Sequence, residues 1–304
     1  MSAAAPAGVE VEIAAADQRA AVVLLGGGLR SYSAAGRDLL DGFPAGSAPT
    51  SGRGQVLLPW PNRLEDGTYE FDGCRHELPL TEPERRNAIH GLVRTEEWEV
   101  AAQEGHRVVL RHLLEPRPGY PFALDLAIEY SLGPGGLTVT TTSTNAGPDA
   151  CPFGSGQHPY IRLGTATVDS LVLRAPGSAV LLEDERRLPR GREPVEGTAL
   201  DFRRPRALGA ERLDDAFTGL ERGADGRARV ELRDPVGRAG VDLWVDESYR
   251  YLMLFTGDDL PDVARRSLAV EPMTCPPNAF RTGEDLVRLE PGESHVSAWG
   301  LVPG

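Results

Sequence analysis

The stretch FALDLAIEYS, residues 122–131, alternates apolar side chains with small or charged ones at every second position. Because successive side chains of a strand point to opposite faces, this period of two predicts a half-buried β-strand. A GPGG turn follows at 133–136, and the next segment, LTVTTTST at 137–144, is rich in the β-branched residues that favour strands. The two segments together predict an antiparallel hairpin.

Similar runs recur outward from this hairpin, at 108–114, 228–232, 241–245, 251–255 and 296–301. Sustained helical periodicity is absent, and the 35 glycines and 25 prolines are scattered as turn signals rather than gathered into a linker. The GGG at 26–28 is interpreted as a hairpin turn. The charged, proline-containing segment 186–206 is predicted to be a long surface loop. The whole pattern predicts an all-β fold, a large antiparallel β-sandwich in which residues 1–304 form a single domain.

Composition excludes several classes of function. The formal net charge of −13 argues against binding to nucleic acids or to anionic membranes. All 32 basic residues are arginine, so Schiff-base chemistry, pyridoxal phosphate attachment and P-loop phosphate binding lack their lysine. The three cysteines have no C-x-x-C spacing and suggest neither a disulfide framework nor a zinc site. With no basic leader and no apolar run of membrane-spanning length, a cytoplasmic location is expected.

Two titratable residues stand directly before prolines, His158 in GQHPY (156–160) and Glu271 in VEPM (270–273). Proline biases the preceding residue toward extended backbone, so both side chains are predicted to be held rigidly at strand ends. Burial would raise the pKa of Glu271 toward the range that suits a general base. The alternative is a carboxylate paired with a nearby arginine.

Other candidate residues have weaker local support. His90 precedes Gly91, a pairing that suits either ligand contact or a turn. Aromatic faces stack on sugar rings and amide or guanidinium groups bind hydroxyl oxygens, which makes a set of sugar-contacting candidates. The candidates for substrate binding are Trp60, Asn62, Arg63, His90, Gln157 and Asp214, the last in a predicted loop before an aromatic residue. A tryptophan in a strand is, however, usually part of the core.

Five phrases, PWPNR (59–63), AIHG (88–91), QHPY (157–160), LDDAF (213–217) and VEPM (270–273), together resemble the aldose 1-epimerase (galactose mutarotase-like) family, and the resemblance extends over nearly the whole chain. It implies the galactose mutarotase-like supersandwich, with Glu271 as general base and His158 as general acid. It also implies that Arg63, His90 and Asp214 bind sugar hydroxyls or the ring oxygen. Better-characterised galactose mutarotases carry Asn before the acid histidine and Tyr-Phe after it. Here Gln157 and a Pro-Tyr pair stand there, so the chain looks closer to a bacterial aldose 1-epimerase-like branch.

The resulting hypothesis is a mutarotase that interconverts the α and β anomers of a free aldohexose by acid/base ring opening. It needs no cofactor and no metal, and we expect a small sugar as its partner, no nucleic acid or membrane, and a monomer or homodimer. Four alternatives stay open. They are a glycoside hydrolase using Asp214 and Glu271, a non-catalytic sugar-binding protein, a metal site built from His90, His158 and Glu271, and a hexose-phosphate epimerase using arginines of 186–206.

Overall fold

Antiparallel strands dominate the regular secondary structure of the protein, a computed structural model that describes residues 8–261 and 263–304. The strands are β1 (Glu10–Ala15), β2 (Gln18–Val23), β3 (Leu29–Ala34), β4 (Arg37–Asp38), β5 (Val56–Leu57), β6 (Arg63–Glu65), β7 (Thr68–Phe71), β8 (Cys74–Glu77), β9 (Asn87–Ile89), β10 (Glu99–Glu104), β11 (Arg107–Leu114), β12 (Leu124–Gly133), β13 (Gly136–Asn145), β14 (Cys151–Phe153), β15 (Gly156–Gln157), β16 (Tyr160–Ile161), β17 (Val172–Arg174), β18 (Gly177–Glu183), β19 (Pro189–Pro194), β20 (Arg206–Ala207), β21 (Asp214–Leu220), β22 (Ala228–Arg233), β23 (Gly240–Val245), β24 (Tyr251–Phe255), β25 (Leu268–Met273), β26 (Val287–Leu289) and β27 (Ser294–Pro303).

Within residues 8–261 and 263–304, helical structure is limited to short pieces. These are an α-helix, α1 (Ala279–Thr282), and two 3₁₀ turns, Pro83–Arg85 and Val168–Ser170. Across the residues that the structure describes, no helix has the length and apolar character that crossing a membrane requires.

Two large sheets form the sandwich. One has nine strands in the order β10-β11-β12-β13-β27-β23-β22-β17-β20, and the other runs β19-β18-β21-β24-β25-β15-β5 with β16 also paired to β25. Apolar side chains of both sheets, such as Leu126 and Tyr130 from β12 and Leu254 and Val270 from β24 and β25, belong to one buried cluster. The predicted all-β antiparallel sandwich is therefore confirmed. Smaller sheets, β1-β2-β3-β4, β14-β26, β6-β9 and β7-β8, surround it.

The hairpin predicted from the period of two is the centre of the nine-stranded sheet. β12 and β13 pair over their full length, from Leu124 opposite Asn145 to Gly133 opposite Gly136, and β12 alternates strictly between buried and half-buried residues. The glycines at 26–28 connect β2 to β3, as predicted, and the Tyr130 hydroxyl donates a hydrogen bond to the Gly27 carbonyl at 2.6 Å. The four-stranded sheet is thereby tied to the sandwich.

The prediction of one long surface loop over residues 186–206 was wrong. Within it, β19 pairs with β18 and forms an edge of the eight-stranded sheet, and β20 begins at Arg206. An edge strand pairs on one side only, so it tolerates prolines and can be charged throughout, which removes the apolar alternation by which strands are found in sequence. All its residues after Pro189 are exposed.

Strand register brings several polar residues to one face of the eight-stranded sheet. Asp214 stands opposite Phe255, and Met253 stands opposite Glu271. Residues directly opposite each other share a face, and residues two apart along a strand do as well. Because Val270 packs into the core between the sheets, Glu271 and its register partners lie on the outer face. This face forms the floor of the cleft described below.

Gly136 provides a test of the central hairpin. Its φ is +101°, and a Cβ at this position would lie 1.9 Å from the Leu301 carbonyl oxygen. We expect Gly136→Ala to lower the free energy of unfolding by about 2–3 kcal/mol, because strain and a backbone clash add. Gly133→Ala, in the same hairpin with open space around the new Cβ, is the control. Equal urea midpoints for the two variants would contradict the assigned hairpin geometry.

Candidate active site

A cleft of about 510 Å³ on the outer face of the eight-stranded sheet brings together six of the eight residues predicted from sequence. They are Asn62, Arg63, His90, His158, Asp214 and Glu271. β21 supplies Asp214 and β25 supplies Glu271, while β6 and β9 pair with each other and carry the Arg63 and His90 segments to the rim. Segments far apart in sequence thus converge on one site.

His158 and Glu271 are in direct contact at the bottom of the cleft. The Nε2 atom of His158 lies 3.3 Å from Oε1 of Glu271, and the two side chains are only 6% and 4% exposed. Strand β25 pairs with β15 on one side of His158 (Gly156 opposite Met273) and with β16 on the other (Tyr160 opposite Ala269). Because the register is the same on both sides, His158 falls directly opposite Glu271.

The strand is interrupted at His158 itself. The backbone N–H of His158 donates to the Gln55 carbonyl at 3.1 Å, and its carbonyl accepts from the N–H of Gly54 at 3.0 Å. Pro159 has no N–H to offer β25, and its carbonyl accepts from Val270 instead. The proline read from sequence therefore marks a break in the ladder, where a side chain can be directed into the cleft.

The prediction that Glu271 ends its strand was wrong, because β25 continues through Pro272 to Met273. The backbone N–H of Val270 points toward the interrupted strand formed by β15 and β16. The backbone nitrogen of Pro272, two residues further along β25, faces the same side. A proline is tolerated there because ladder pairing is already broken. Glu271 therefore lies inside a strand, with strand residues before and after it, and not at the boundary of a loop.

Burial sets the protonation of the pair. It lowers the pKa of His158 to about 3, an effect to which the positive charge of Arg94 adds. Burial also raises the pKa of Glu271 well above its ordinary value, with the nearby Asp214 carboxylate acting in the same direction. Both shifts favour uncharged groups, so the two side chains together hold one mobile proton across a wide pH range.

His90 adds a hydrogen-bond donor. Its Nδ1 accepts from the backbone N–H of Asn62 at 3.2 Å, and its ring centroid lies 5.4 Å from that of His158. Burial, reinforced by His158, lowers the pKa of His90 well below the usual value, so the ring is neutral. With Nδ1 accepting, the ring proton lies on Nε2 and is available to an acceptor such as a sugar oxygen.

The same tautomer bears on the metal alternative. Possible ligand atoms of His90, His158 and Glu271 lie within 4.8 Å of one another. A metal-binding histidine normally donates a hydrogen bond through its second nitrogen, whereas Nδ1 of His90 accepts one from Asn62. The possible ligand atoms of His90, His158 and Glu271 therefore fit a metal ion poorly.

Ion pairs hold the polar rim in place. Arg63 binds Glu82 through two hydrogen bonds, at 2.8 and 3.0 Å. On the opposite wall, Asp214 pairs with Arg187 at 2.9 Å. Asp214 is the first residue of β21 and not part of a loop, which corrects the sequence interpretation. Fixed guanidinium and carboxylate groups of this kind suit the hydroxyls of a neutral polar ligand.

Two residues predicted to contact a sugar lie outside the cleft. Gln157 precedes His158 and so points to the opposite face, where its amide donates to the Thr141 hydroxyl of the other sheet at 3.2 Å. Trp60 is buried and packs against Phe280, with ring centroids 5.4 Å apart. The structure does not bring either residue to the site, and Trp60, which lies between β5 and β6, has a core role.

The arginines near residue 186 are also occupied by protein groups. Arg186 bonds to Asp66 at 2.9 Å and to the Arg85 carbonyl, while Arg187 pairs with Asp214 and Glu183. These contacts link the β18–β19 turn to two walls of the cleft. The suggested phosphate-binding role of this segment gains no support from the geometry.

Sequence reasoning missed the residues that support His158. The Tyr160 ring stacks on the His158 ring with centroids 5.0 Å apart and planes 6° apart. The guanidinium of Arg53 lies over the Tyr160 ring, 4.4 Å from its centroid. Arg53 is also paired with the buried Asp41 at 3.3 Å. Tyr160 could have been found, because residues two apart share a strand face. Gly52 also lies close to the imidazole of His158. This approach has no local signal in the sequence.

Comparison with known proteins identifies the family. A sequence model of the family described as aldose 1-epimerase matches residues 10–300. The chain belongs to the aldose 1-epimerase family. It is therefore an isomerase, and the predicted resemblance is confirmed.

Relatives and solved structures match either nearly the whole chain or about half of it. YihR of Escherichia coli K12, an uncharacterized protein, is 34% identical over 289 residues, which cover 95% of this chain and 91% of YihR. Human galactose mutarotase is 28% identical over 176 residues, 55% of this chain and 50% of that enzyme. The crystal structure of the GalM/aldose epimerase homologue from C. elegans superposes with a TM-score of 0.86 at 18% identity, covering 98% and 99% of the two chains. At that identity it shows the shared fold.

Gly52 tests the support of the imidazole. A Cβ on Gly52 would lie 2.4 Å from Cδ2 and 2.6 Å from Nε2 of His158, so the ring would have to move. We expect Gly52→Ala to lower kcat by about 10–100-fold, as misplacement of a reacting group does, with the fold retained. Gly46→Ala is a matched control, since Gly46 has a similar positive φ (+74° against +77°) but open space around the new Cβ. Equal kcat values in the two variants would remove Gly52 from this role.

Proposed function

We propose that this protein interconverts the α and β anomers of a free aldohexose, with Glu271 as general base and His158 as general acid. The supporting observation is the buried contact of 3.3 Å between the imidazole and the carboxyl group in the cleft. In a cyclic aldose the anomeric hydroxyl and the ring oxygen are attached to the same carbon. Two proton-exchanging groups in contact with each other can therefore each reach one of these oxygens.

The reaction uses the single proton of the pair. The mobile proton first passes from Glu271 to His158 across their contact of 3.3 Å. The Glu271 carboxylate then takes the proton of the anomeric hydroxyl while the His158 imidazolium protonates the ring oxygen, the bond between C1 and the ring oxygen breaks, and C1 becomes an aldehyde. Rotation about C1–C2 presents the other face of the carbonyl. The former ring oxygen then attacks C1 and returns its proton to His158, and Glu271 protonates the aldehyde oxygen. Protons and electrons balance within the pair and the sugar.

The surrounding groups fit the remaining sugar oxygens. The Nε2–H of His90 and the guanidinium of Arg63 are donors, and the carboxylate of Asp214 is an acceptor. Asn62 lines the same wall, and its backbone sets the tautomer of His90. We assign these four residues to substrate binding. The resemblance to the family assigns the same roles to Arg63, His90 and Asp214.

Substitution of the two central residues tests the proposal. We expect Glu271→Gln and His158→Asn each to lower the enzyme-catalysed mutarotation rate by about 10²–10⁴-fold, the usual contribution of a general acid or base. Polarimetry, with the uncatalysed rate subtracted, is the measurement. Glu193→Gln and His106→Asn make the same chemical changes at exposed positions outside the cleft and should retain full activity.

Three results would redirect the assignment. Near-normal activity of either cleft variant would remove that residue from its role. Sugar binding without faster anomer exchange would favour a non-catalytic sugar-binding protein. Release of reducing sugar from a glycoside, without anomer exchange, would favour a hydrolase. NMR exchange spectroscopy over a panel of aldoses distinguishes these cases and identifies the preferred sugar.

The pH dependence follows from the shifted pKa values. Activity requires one proton on the pair. A second proton is added only when the pH approaches the His158 pKa of about 3, and the last is lost only above the raised pKa of Glu271. We therefore expect kcat/KM, which reports the free enzyme, to be flat from above the His158 pKa of about 3 up to the raised pKa of Glu271. A clear break near 6.5, the ordinary histidine pKa, would show that His158 titrates as an exposed imidazole.

A further inference from the structure

The guanidinium of Arg94 lines the cleft but takes no part in the reaction proposed above. Its Nη1 donates to Oε1 of Gln55 at 3.3 Å, and its Nη2 donates to the carbonyl of Ile89 at 3.2 Å. Both acceptors are uncharged, whereas Arg63 in the same cleft is paired with the Glu82 carboxylate. Burial lowers the pKa of Arg94, so this half-buried cation has a cost to folding.

The Gln55 end of this pair of hydrogen bonds leads to His158. The Gln55 carbonyl accepts the backbone N–H of His158 at 3.1 Å, and the next residue, Val56, pairs with Gln157 in the sheet. Gln55 is itself buried, so its side chain has little freedom. A guanidinium that holds Gln55 therefore also holds the backbone that carries the imidazole.

The Ile89 end leads to His90. Ile89 is the last residue of β9, directly before His90, and it pairs with Arg63 of β6. The backbone N–H of His90 donates to the Asn62 carbonyl at 2.9 Å. The rings of the two cleft histidines have centroids 5.4 Å apart, and Arg94 connects the backbone segments on which both rings depend.

The glycine turn at 26–28 fixes the backbone of Arg94. A Cβ on Gly26 would lie 2.6 Å from the carbonyl oxygen of Arg94, and a Cβ on Gly28 would lie 2.7 Å from the carbonyl oxygen of Gly54. Glycine at both positions allows this close approach of backbone to backbone. The turn therefore lies between the Arg94 segment and the segment that supports the imidazole, and keeps the two in a fixed relation.

The positive charge of Arg94 acts on both rings. Burial is the main cause of the lowered pKa of His158, and the charge of Arg94 adds to it. The pKa of His90 is lowered first by burial, then by His158 and then by Arg94. Arg94 is therefore near both imidazoles and favours their neutral forms.

We propose that Arg94 is a positioning residue for the acid–base reaction: its guanidinium bridges the backbone segments of His158 and His90 and so fixes the acid relative to the ring that binds the sugar. This inference rests on the proposed mutarotase function and adds no chemical step. Without the bridge the imidazole of His158 could shift relative to the bound sugar, and a displacement of about 1 Å can slow a reaction on the order of 10²-fold.

The bridge can be removed from either end. We expect Arg94→Met to lower kcat for anomer exchange by about 10-fold and to change KM by less than about threefold, because the contacts with the bound sugar remain. Gln55→Ala should lower kcat by about 3–10-fold. Since both changes break the same bridge, the double variant should lose little more than the larger single loss. NMR exchange spectroscopy of the full chain with the preferred aldose measures both parameters.

Two further variants complete the test. Arg94→Lys keeps the charge but replaces the planar fork by one ammonium group, so it should restore part of the lost kcat and not all of it. Arg204→Met makes the same change as Arg94→Met at an exposed position outside the cleft and should leave kcat and KM unchanged. Urea midpoints establish that each variant is folded. If Arg94→Met does not fold, Gln55→Ala and Arg94→Lys test the bridge in its place.

Three outcomes would overturn the inference. Unchanged kcat in Arg94→Met would show that the bridge does not position the acid. A raised KM with unchanged kcat would show that Arg94 binds the sugar directly, and losses that multiply in the double variant would show that Arg94 and Gln55 act independently. In each case anomer exchange by the wild-type chain still supports the mutarotase function. Absence of catalysed exchange in the wild-type chain with any aldose would overturn both proposals together.

Discussion

The register between β25 and the interrupted strand β15–β16 is the constraint on which the site depends. Pairing is in step on both sides of the interruption, so His158 must lie opposite Glu271. At the break Pro159 offers no N–H to β25, while the backbone of His158 bonds to residues 54–55 on the side away from β25, next to Gly52, which lies against the imidazole. The backbone positions that bring the imidazole and the carboxyl group together are therefore fixed by strand pairing.

Electrostatics around this contact divides into two zones. At the bottom of the cleft, burial keeps the imidazole and the carboxyl group uncharged. At the rim, charges persist because each has a partner, as in Arg63 with Glu82 and Asp214 with Arg187. In the proposed reaction, proton exchange would thus take place at the buried centre, and sugar hydroxyls would be bound by fixed charges nearer to solvent.

Local patterns in the sequence predicted much of the fold and the central residues of the site. The alternation at 122–131 was sufficient for β12, and the prolines after His158 and Glu271 pointed to rigid, unusual backbone. What failed needed information from distant segments. Trp60 has the same composition-based signal whether it faces a sugar or Phe280, and β19 pairs on one side only, so it has no apolar period. The approach of Gly52 depends on a loop more than 100 residues away from His158.

The buried pair also influences the pH range in which the fold is most stable. In the unfolded chain a glutamate titrates near about 4.3 and a histidine near about 6.5. In the folded chain the pKa of Glu271 is raised and that of His158 is lowered. Between the two unfolded pKa values, about 4.3 and about 6.5, the folded and unfolded forms therefore bind the same number of protons at this site. Below that window the unfolded form binds more protons, and above it the folded form does; stability therefore declines in both directions. The free energy that this buried pair costs the folded state is therefore smallest at mildly acidic pH, between the two pKa values of the unfolded chain.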